Sequence, residues 1–172
     1  MVGTFLFYGR VVDGTMLIAL SSRASDQAAP TEATMRKTKM FLDYAASHPD
    51  AVLMYQAIDM VLALCSNASY LSEPKARSRA GGHFFMSEDV ADPPNNGAVF
   101  NTAQTIKAVM SLAVEAELGA MFINAREVVP VRMELGHKQP RTPMQIDNST
   151  AVAVVDNNIQ PRQTKAMDMR FL

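Results

Sequence analysis

The chain lacks the features of a disulfide-linked, membrane-spanning or strongly charged protein. Its single cysteine, Cys65, excludes an internal disulfide and fits a reducing compartment. No apolar stretch approaches the roughly 20 residues of a membrane span, and no signal-peptide pattern is present. We therefore expect an intracellular protein, cytoplasmic or nuclear, with no membrane partner. A net charge of −1 argues against coating nucleic acid by bulk charge, but it leaves open an acidic centre beside a basic surface.

Common catalytic signatures are also missing. There is no phosphate-binding glycine loop, zinc pattern or serine–histidine triad. Cys65 ends the apolar run of residues 60–65, which predicts a buried strand residue rather than a catalytic thiol. His83 precedes an apolar strand and is predicted to be structural, and His137 follows a helix stop. The 13 scattered methionines indicate core filling rather than a binding groove.

The first fifty residues have a helical pattern. Residues 15–20 are apolar and lead into a polar stretch of small residues, 21–30. The sequence Pro30-Thr31-Glu32 then predicts a second helix, and His48-Pro49-Asp50 predicts its end. The basic residues on that helix are typical either of a solvated face or of a phosphate contact; they are Arg36, Lys37 and Lys39.

From residue 51 the pattern changes to strands. Residues 51–57 fit a short strand or an extended linker, and residues 60–65 fit a strand covered on both faces. A second strand, 83–86, is entered through Gly81-Gly82. The turn signal at 93–97 leads into the alternating strand 98–106. Together these segments predict a three-stranded meander.

The remaining chain predicts helices and one more strand. A helix over 111–128 would turn five residues toward the sheet, namely Leu118, Met121, Phe122, Ala125 and Val129. Pro130 predicts a break, followed by a short second helix that ends at Gly136. A strand over 143–147, a helix through 155 and a last helix over 164–172 follow. The fold class predicted is α/β, a mixed sheet flanked by helices.

Polar residues at the ends of these elements predict a metal site. Asn67 ends the first strand, Glu117 lies in the long helix, Asp147 closes a strand, and Asp168 lies on the last helix. Clustered carboxylates repel one another unless cations neutralise them. Two Mg²⁺ ions about 4 Å apart can activate water for phosphodiester hydrolysis. From spacing alone, scattered acids are usually ordinary surface residues.

Four local strings carry a family resemblance. They are Ser66-Asn67-Ala68-Ser69-Tyr70, Glu115-Ala116-Glu117-Leu118, Ile146-Asp147-Asn148-Ser149-Thr150-Ala151, and Arg162-Gln163-Thr164-Lys165-Ala166-Met167-Asp168-Met169-Arg170. In this order they closely resemble the ribonuclease H domain of copia-type LTR-retrotransposon polyproteins. The resemblance covers about residue 59 to the C-terminus.

The resemblance implies two regions. Residues 51–172 would form a ribonuclease H-like domain, truncated at its C-terminus because the family helix continues beyond Leu172. Residues 1–50 are similar to the helical tail of the reverse transcriptase, through the strings at 2–8 and 41–45, and carry no polymerase catalytic motif. The implied partners are an RNA–DNA hybrid and the remainder of the retroelement polyprotein.

The resemblance also implies the site. Its four metal-binding positions, for Mg²⁺ or Mn²⁺, correspond to Asn67, Glu117, Asp147 and Asp168. Glu115 competes with Glu117, but residues two apart on a helix point about 200° apart, so we expect Glu115 to face solvent. Basic residues flank Asp168 and are candidates for nucleic-acid contacts, namely Arg162, Lys165 and Arg170. A second basic group follows the first strand and fits either phosphate contact or a solvated loop; it comprises Lys75, Arg77 and Arg79.

Asn67 departs from the family pattern. An amide keeps one oxygen ligand but loses the negative charge, and its amino group repels cations. The expectation is a folded nuclease that is weak or inactive. The alternatives are a non-catalytic module that binds hybrids or connects domains, an inert scaffold, and a transposase-like nuclease with the same general fold.

Overall fold

The computed structural model describes residues 2–156, which begin with a group of helices. Helix α1 spans Val2–Val11, a short 3-10 turn spans Gly14–Met16, α2 spans Leu17–Asp26, and α3 spans Glu32–Ser47. The helical character predicted for the first fifty residues is confirmed. Helix α2 nevertheless continues through polar residues that were predicted to end it. Its buried side explains this, since Leu17, Leu20 and Arg23 all lie on it.

Helix α3 begins and ends where the sequence predicts. The Thr31 hydroxyl accepts a hydrogen bond from the Thr34 N–H at 3.2 Å, which satisfies one of the free donors of the first turn. His48 follows the last helical residue. The helices pack through a core of Met16, Leu20 and Phe41, where Phe5 meets the Phe41 ring edge-on at 5.1 Å.

An extended linker joins the helices to the sheet. Residues 48–60 contain no regular secondary structure, so the linker alternative holds for residues 51–57. Asn96 anchors this linker through two hydrogen bonds. Its side chain accepts from the Gln56 N–H at 2.9 Å and donates to the Gln56 carbonyl at 3.2 Å. The Tyr55 hydroxyl donates to the Ala98 carbonyl at 2.9 Å. The linker is thus attached to the start of β3.

The rest of the described chain forms a mixed sheet and two helices. The elements are β1 (Val61–Glu73), β2 (Arg77–Ser87), β3 (Ala98–Thr105), α4 (Ala113–Glu134), β4 (Met144–Gln145) and α5 (Ser149–Val155). The strand order is β3-β2-β1-β4. The first three strands pair antiparallel as the predicted meander, and β4 is parallel to β1. The predicted α/β class, with helices on a mixed sheet, is confirmed.

Several strand boundaries differ from the prediction. β1 continues to Glu73, so Asn67 lies inside the strand and not at its end. β2 begins at Arg77, so Gly81 and Gly82 lie within it. Both extensions arise because β1 and β2 pair along a long hairpin, which supplies hydrogen bonds to polar residues with no apolar pattern. β4 is shorter than predicted, with only two paired residues.

Helix α4 covers one face of the sheet, but of the five residues predicted to face it only Leu118 is buried. Phe122 and Val129, expected to face the sheet, are 47% and 59% exposed. The buried side instead carries Ala116, Ala120 and Val128. The alanines let the helix backbone approach the strands closely at one end, and larger apolar residues fill the wider other end. The helical period predicted that one side of α4 packs on the sheet. Choosing that side by its larger apolar residues gave mostly exposed positions, because small residues occupy much of the buried side.

Helix α4 is continuous through Pro130, so the predicted break is wrong. A proline removes one backbone hydrogen bond and costs about 3 kcal/mol inside a helix, yet packing on both sides keeps the helix whole. Replacing exposed Pro130 with Ala should therefore raise the free energy of unfolding by about 1–2 kcal/mol, after the greater freedom of the unfolded chain is deducted. Urea denaturation measures this. The neighbouring Val129→Ala variant serves as the control, and an unchanged or lower stability for Pro130→Ala would contradict the expectation.

Candidate metal centre

The centre lies where β1 loses its partner strand. Cys65 is opposite Gln145 in the parallel pair, and β4 ends there. Beyond this point the β4 side of β1 is open. Asn67 and Asp147 each lie two residues past that last pair, at the same end of the two strands. The open edge therefore has room for side chains to gather.

Glu117 reaches this edge from helix α4. Its residue is 7% exposed, a backbone hydrogen bond joins it to Ala68, and its Oε2 is buried with no hydrogen-bond partner in the described chain. Burial raises the pKa of Glu117, and the nearby charge of Asp147 raises it further, while the bond to Ala68 opposes the shift. An unpartnered carboxylate oxygen beside a second carboxylate is an arrangement that a cation would stabilise.

Asp147 lies exposed between β4 and α5. The next residue, Asn148, caps α5 by accepting from the Thr150 and Ala151 N–H groups, both at 3.1 Å, as the sequence predicts. The cap fixes the backbone that carries Asp147. The structure thus brings Asp147 and Glu117 close enough for their charges to interact.

Asn67 approaches the edge from the opposite face of the sheet. Its neighbours Ser66 and Ala68 face α4, through a hydrogen bond to Asn124 and packing against the Ala116 cluster. Side chains alternate along a strand, so the Asn67 amide lies on the other face. There it is exposed and lines a cavity.

Glu115 does not face solvent, contrary to expectation. It is 1% exposed, and its Oε2 accepts a hydrogen bond from the Ser111 N–H at 2.7 Å. The N-cap residue Leu112 has no side-chain acceptor, so Glu115 satisfies a backbone donor ahead of the helix. Its other oxygen, Oε1, is buried with no hydrogen-bond partner in the described chain, as is Glu117 Oε2.

Two of the four predicted ligands, Glu117 and Asp147, lie close together in the described chain. Within residues 2–156, no three His, Cys, Asp or Glu side chains are grouped to hold a metal. Glu117 and Asp147 offer carboxylate oxygens, and Asn67 is the third residue at this edge. The fourth predicted ligand, Asp168, lies outside the described residues, as do Arg162, Lys165, Arg170 and the predicted helix over 164–172.

The basic residues that follow the first predicted strand differ in their exposure: Arg79 is buried and Lys75 is exposed. Arg79 is not a loop residue, because it is buried in β2 and its Nε donates to the Glu73 carboxylate at 2.7 Å. The strand pairing brings these two residues together. Lys75 remains exposed in the β1–β2 turn, with a positive φ of 62°.

Cys65 is half-buried rather than fully buried, and burial raises the pKa of its thiol.

Asn124 is the important residue that the sequence interpretation missed. It is fully buried in α4, and its Nδ2 donates to Ser66 Oγ at 2.9 Å and to the Gly81 carbonyl at 2.8 Å. Its Oδ1 accepts from Thr102 Oγ1 at 2.9 Å. One side chain therefore links α4 to three strands, two helical turns from Glu117. The sequence held one signal for this role: Asn124 falls in the four-residue spacing of Ala116, Ala120 and Val128, which indicates a position on the buried side of the helix.

Gly82 makes room for this amide. A Cβ at position 82 would lie 2.5 Å from Asn124 Oδ1 and 2.6 Å from Thr102 Oγ1. Both distances are far too short for carbon, so this β2 position must be glycine while Asn124 is present.

Comparisons of the chain with protein-family models, with curated proteins and with solved structures gave no match. Among residues 2–156, no helix has the length and apolar character needed to cross a membrane.

Replacing Glu117 with Gln should stabilise the metal-free protein. The folded-state pKa is raised, so the carboxyl releases its proton less readily in the folded chain than in the unfolded one. Its charge therefore destabilises the fold above the folded pKa, and the penalty disappears below the ordinary value near 4.5. We expect a gain of about 1 kcal/mol at pH 7 and almost none at pH 4.

Urea denaturation at both pH values, in chelator, measures this gain. Glu134→Gln on the exposed part of α4 is the control. An equal gain at the two pH values, or a loss at pH 7, would show that the Glu117 carboxylate is not destabilising.

Proposed function

We propose that this chain is a ribonuclease H-type endonuclease domain, impaired by Asn67, that acts on RNA–DNA hybrids. The observation that carries the proposal is the unpartnered, buried Glu117 oxygen beside Asp147 at the open edge of β1. This is the type of donor set that binds Mg²⁺ or Mn²⁺. The reaction that we propose, hydrolysis of an RNA–DNA hybrid, comes from the resemblance of the four strings to copia-type polyproteins.

The described positions to which the resemblance assigns metal binding support the proposal by their location. Asn67 and Asp147 lie two residues past the last β1–β4 pair, and Glu117 bonds to the residue after Asn67. These residues come from three separate parts of the sequence.

Each residue has a proposed task. Glu117 and Asp147 would hold a divalent cation, which supplies charge stabilisation and an activated water in phosphodiester hydrolysis. Asn67 lies at the same edge with its amide on the other face of the sheet, where it adds no charge and its amino group opposes a cation. Glu117 loses its desolvation penalty when a cation replaces its missing hydrogen bond. The chain therefore keeps part of a site that needs one more carboxylate.

The rest of the chain has a proposed place in the same polyprotein. Residues 1–50 would be the helical tail of the reverse transcriptase, and residues 51–172 the nuclease-like domain. The remaining polyprotein would be a partner of both.

A non-catalytic module is the second candidate function, and Asn67 is the observation that favours it. Without the first carboxylate, the protein would bind a hybrid and leave it uncut. Exposed Lys75 in the β1–β2 turn offers a phosphate contact that needs no metal. Salt-sensitive binding of the hybrid in chelator, with no cleavage in either metal, would favour this candidate.

The experiment is cleavage of a labelled RNA–DNA hybrid in Mg²⁺ and in Mn²⁺, by the unmodified chain and by Asn67→Asp. Duplex DNA and duplex RNA are the control substrates. Cleavage of the hybrid by the variant alone supports the proposed function. If both proteins are folded and neither cuts, the proposal fails.

A further inference from the structure

A cavity lies on the sheet face opposite α4, and the candidate metal centre does not account for it. It encloses about 510 Å³ between the strands and α2. This volume is within the range of roughly 300–1,000 Å³ that is usual for small-molecule sites. Asn67, Arg79 and Asn101 line it from three neighbouring strands, and Leu17 and Ile18 line it from α2.

The two amides leave hydrogen-bonding groups available to a ligand. The Asn67 side chain makes no hydrogen bond within the described residues, so both its oxygen and its amino group are available. Asn101 uses Oδ1 to bond His83 Nδ1 at 3.0 Å, which leaves Nδ2. The two amides lie on β1 and β3, on either side of Gly81 in β2, so each can bond a different edge of one nucleobase.

The charge of the lining favours an anion. Arg79 is the only charged residue among those that line the cavity. Its Nε bonds Glu73 at 2.7 Å, while Nη1 has only a long contact of 3.5 Å to the Ala103 carbonyl. The terminal guanidinium nitrogens can therefore bind a phosphate. An aspartate at position 67 would place a negative charge in the same cavity, and asparagine does not.

The walls suit a flat ring. Gly81, which pairs with Asn67, leaves part of this sheet face without a side chain. Ile18 faces this region from α2 and is 61% exposed, although it is a large apolar residue. A ring between Ile18 and Gly81 would cover that apolar surface.

We propose that this cavity binds one nucleotide, with its base between Ile18 and Gly81, Asn67 and Asn101 on opposite sides of that base, and its phosphate at Arg79. A free mononucleotide and one residue of a single strand share this chemistry. The inference needs no metal and no cleavage, so it stands or falls separately from the proposed function.

Gly81 allows the site to be filled without breaking the fold. A Cβ there would meet only the Asn67 carbonyl oxygen, at an ordinary 3.8 Å. Gly81→Val therefore occupies the cavity with a residue that strands favour. Gly3→Val on α1 is the matched control, because a Cβ at Gly3 meets nothing within 4 Å.

The experiment is an NMR titration in chelator with the four ribonucleoside monophosphates, ribose 5-phosphate and a short single-stranded RNA. We expect saturable shifts at the lining residues, a loss of affinity of at least tenfold in Gly81→Val, and none in Gly3→Val. Asn67→Asp should also weaken binding, by about tenfold, through charge repulsion.

Binding by the monophosphates assigns the site to free nucleotides, and binding by the RNA alone assigns it to a strand; either result supports the proposal. Equal affinity for ribose 5-phosphate would overturn it, because the base would then contribute nothing. The absence of shifts at the lining residues with every ligand would overturn it too, as would unchanged affinity in a folded Gly81→Val protein.

Discussion

The Asn67→Asp variant should cleave an RNA–DNA hybrid at least about 100-fold faster than the unmodified chain. Removing one preorganised charge or donor from a catalytic site commonly costs about 10²–10³ in rate, and this substitution restores one. The new carboxylate would add a negative charge near the edge that holds Glu117 and Asp147, although from the other face of the sheet, which raises the affinity of the edge for a divalent cation. The gain should appear in Mg²⁺ or Mn²⁺ and vanish in chelator.

Two further proteins make this result specific. The double variant Asn67→Asp with Glu117→Gln should be as inactive as the unmodified chain, because it again lacks one carboxylate. Asn67→Ser changes the same position without adding a charge and should gain nothing. Cleavage by the unmodified chain at the rate of Asn67→Asp would show that asparagine serves as a ligand, and the account of Asn67 would be wrong.

Replacing Asn124 with Ala should lower the free energy of unfolding by about 3 kcal/mol. The variant loses the three hydrogen bonds of a fully buried side chain. The Ser66 and Thr102 hydroxyls can rotate toward new partners, but the Gly81 carbonyl loses the donor that Asn124 provided. An unsatisfied buried group costs about 1–3 kcal/mol, and the cavity left behind adds to this.

Urea denaturation measures the loss for Asn124→Ala. The exposed neighbour Arg126, replaced by Ala, is the control and should change stability by no more than about 0.5 kcal/mol. A loss below about 1 kcal/mol for Asn124→Ala would show that water or neighbouring side chains replace its bonds, and that α4 does not depend on this amide.

The element order could be predicted from the sequence because local signals mark it. Thr31 and Asn148 cap their helices, and the turn at residues 93–97 separates β2 from β3. The ends of elements that depend on pairing or packing with another element were harder to predict. The polar half of β1 has no apolar pattern, and only its pairing with β2 makes it a strand. In the same way, Pro130 is a strong local signal that the packing of α4 overrides.

The candidate site was predictable only in part, for a related reason. Strings in the sequence selected Asn67, Glu117 and Asp147, but they gave no three-dimensional distances. The roles of Glu115 and Asn124 depend on where α4 begins and which of its faces is buried, and both follow from packing against the sheet. The cavity under α2 depends on how the N-terminal helices meet the strands, which no local pattern contains.

The fit between Gly82 and Asn124 restricts how this protein can change over generations. A larger residue at 82 collides with the Asn124 amide. Loss of that amide removes hydrogen bonds from groups on β1, β2 and β3. Either substitution alone is harmful, so the two positions can only drift as a pair, through a rare double change. In any set of descendants of this chain, glycine at 82 and asparagine at 124 should be inherited together.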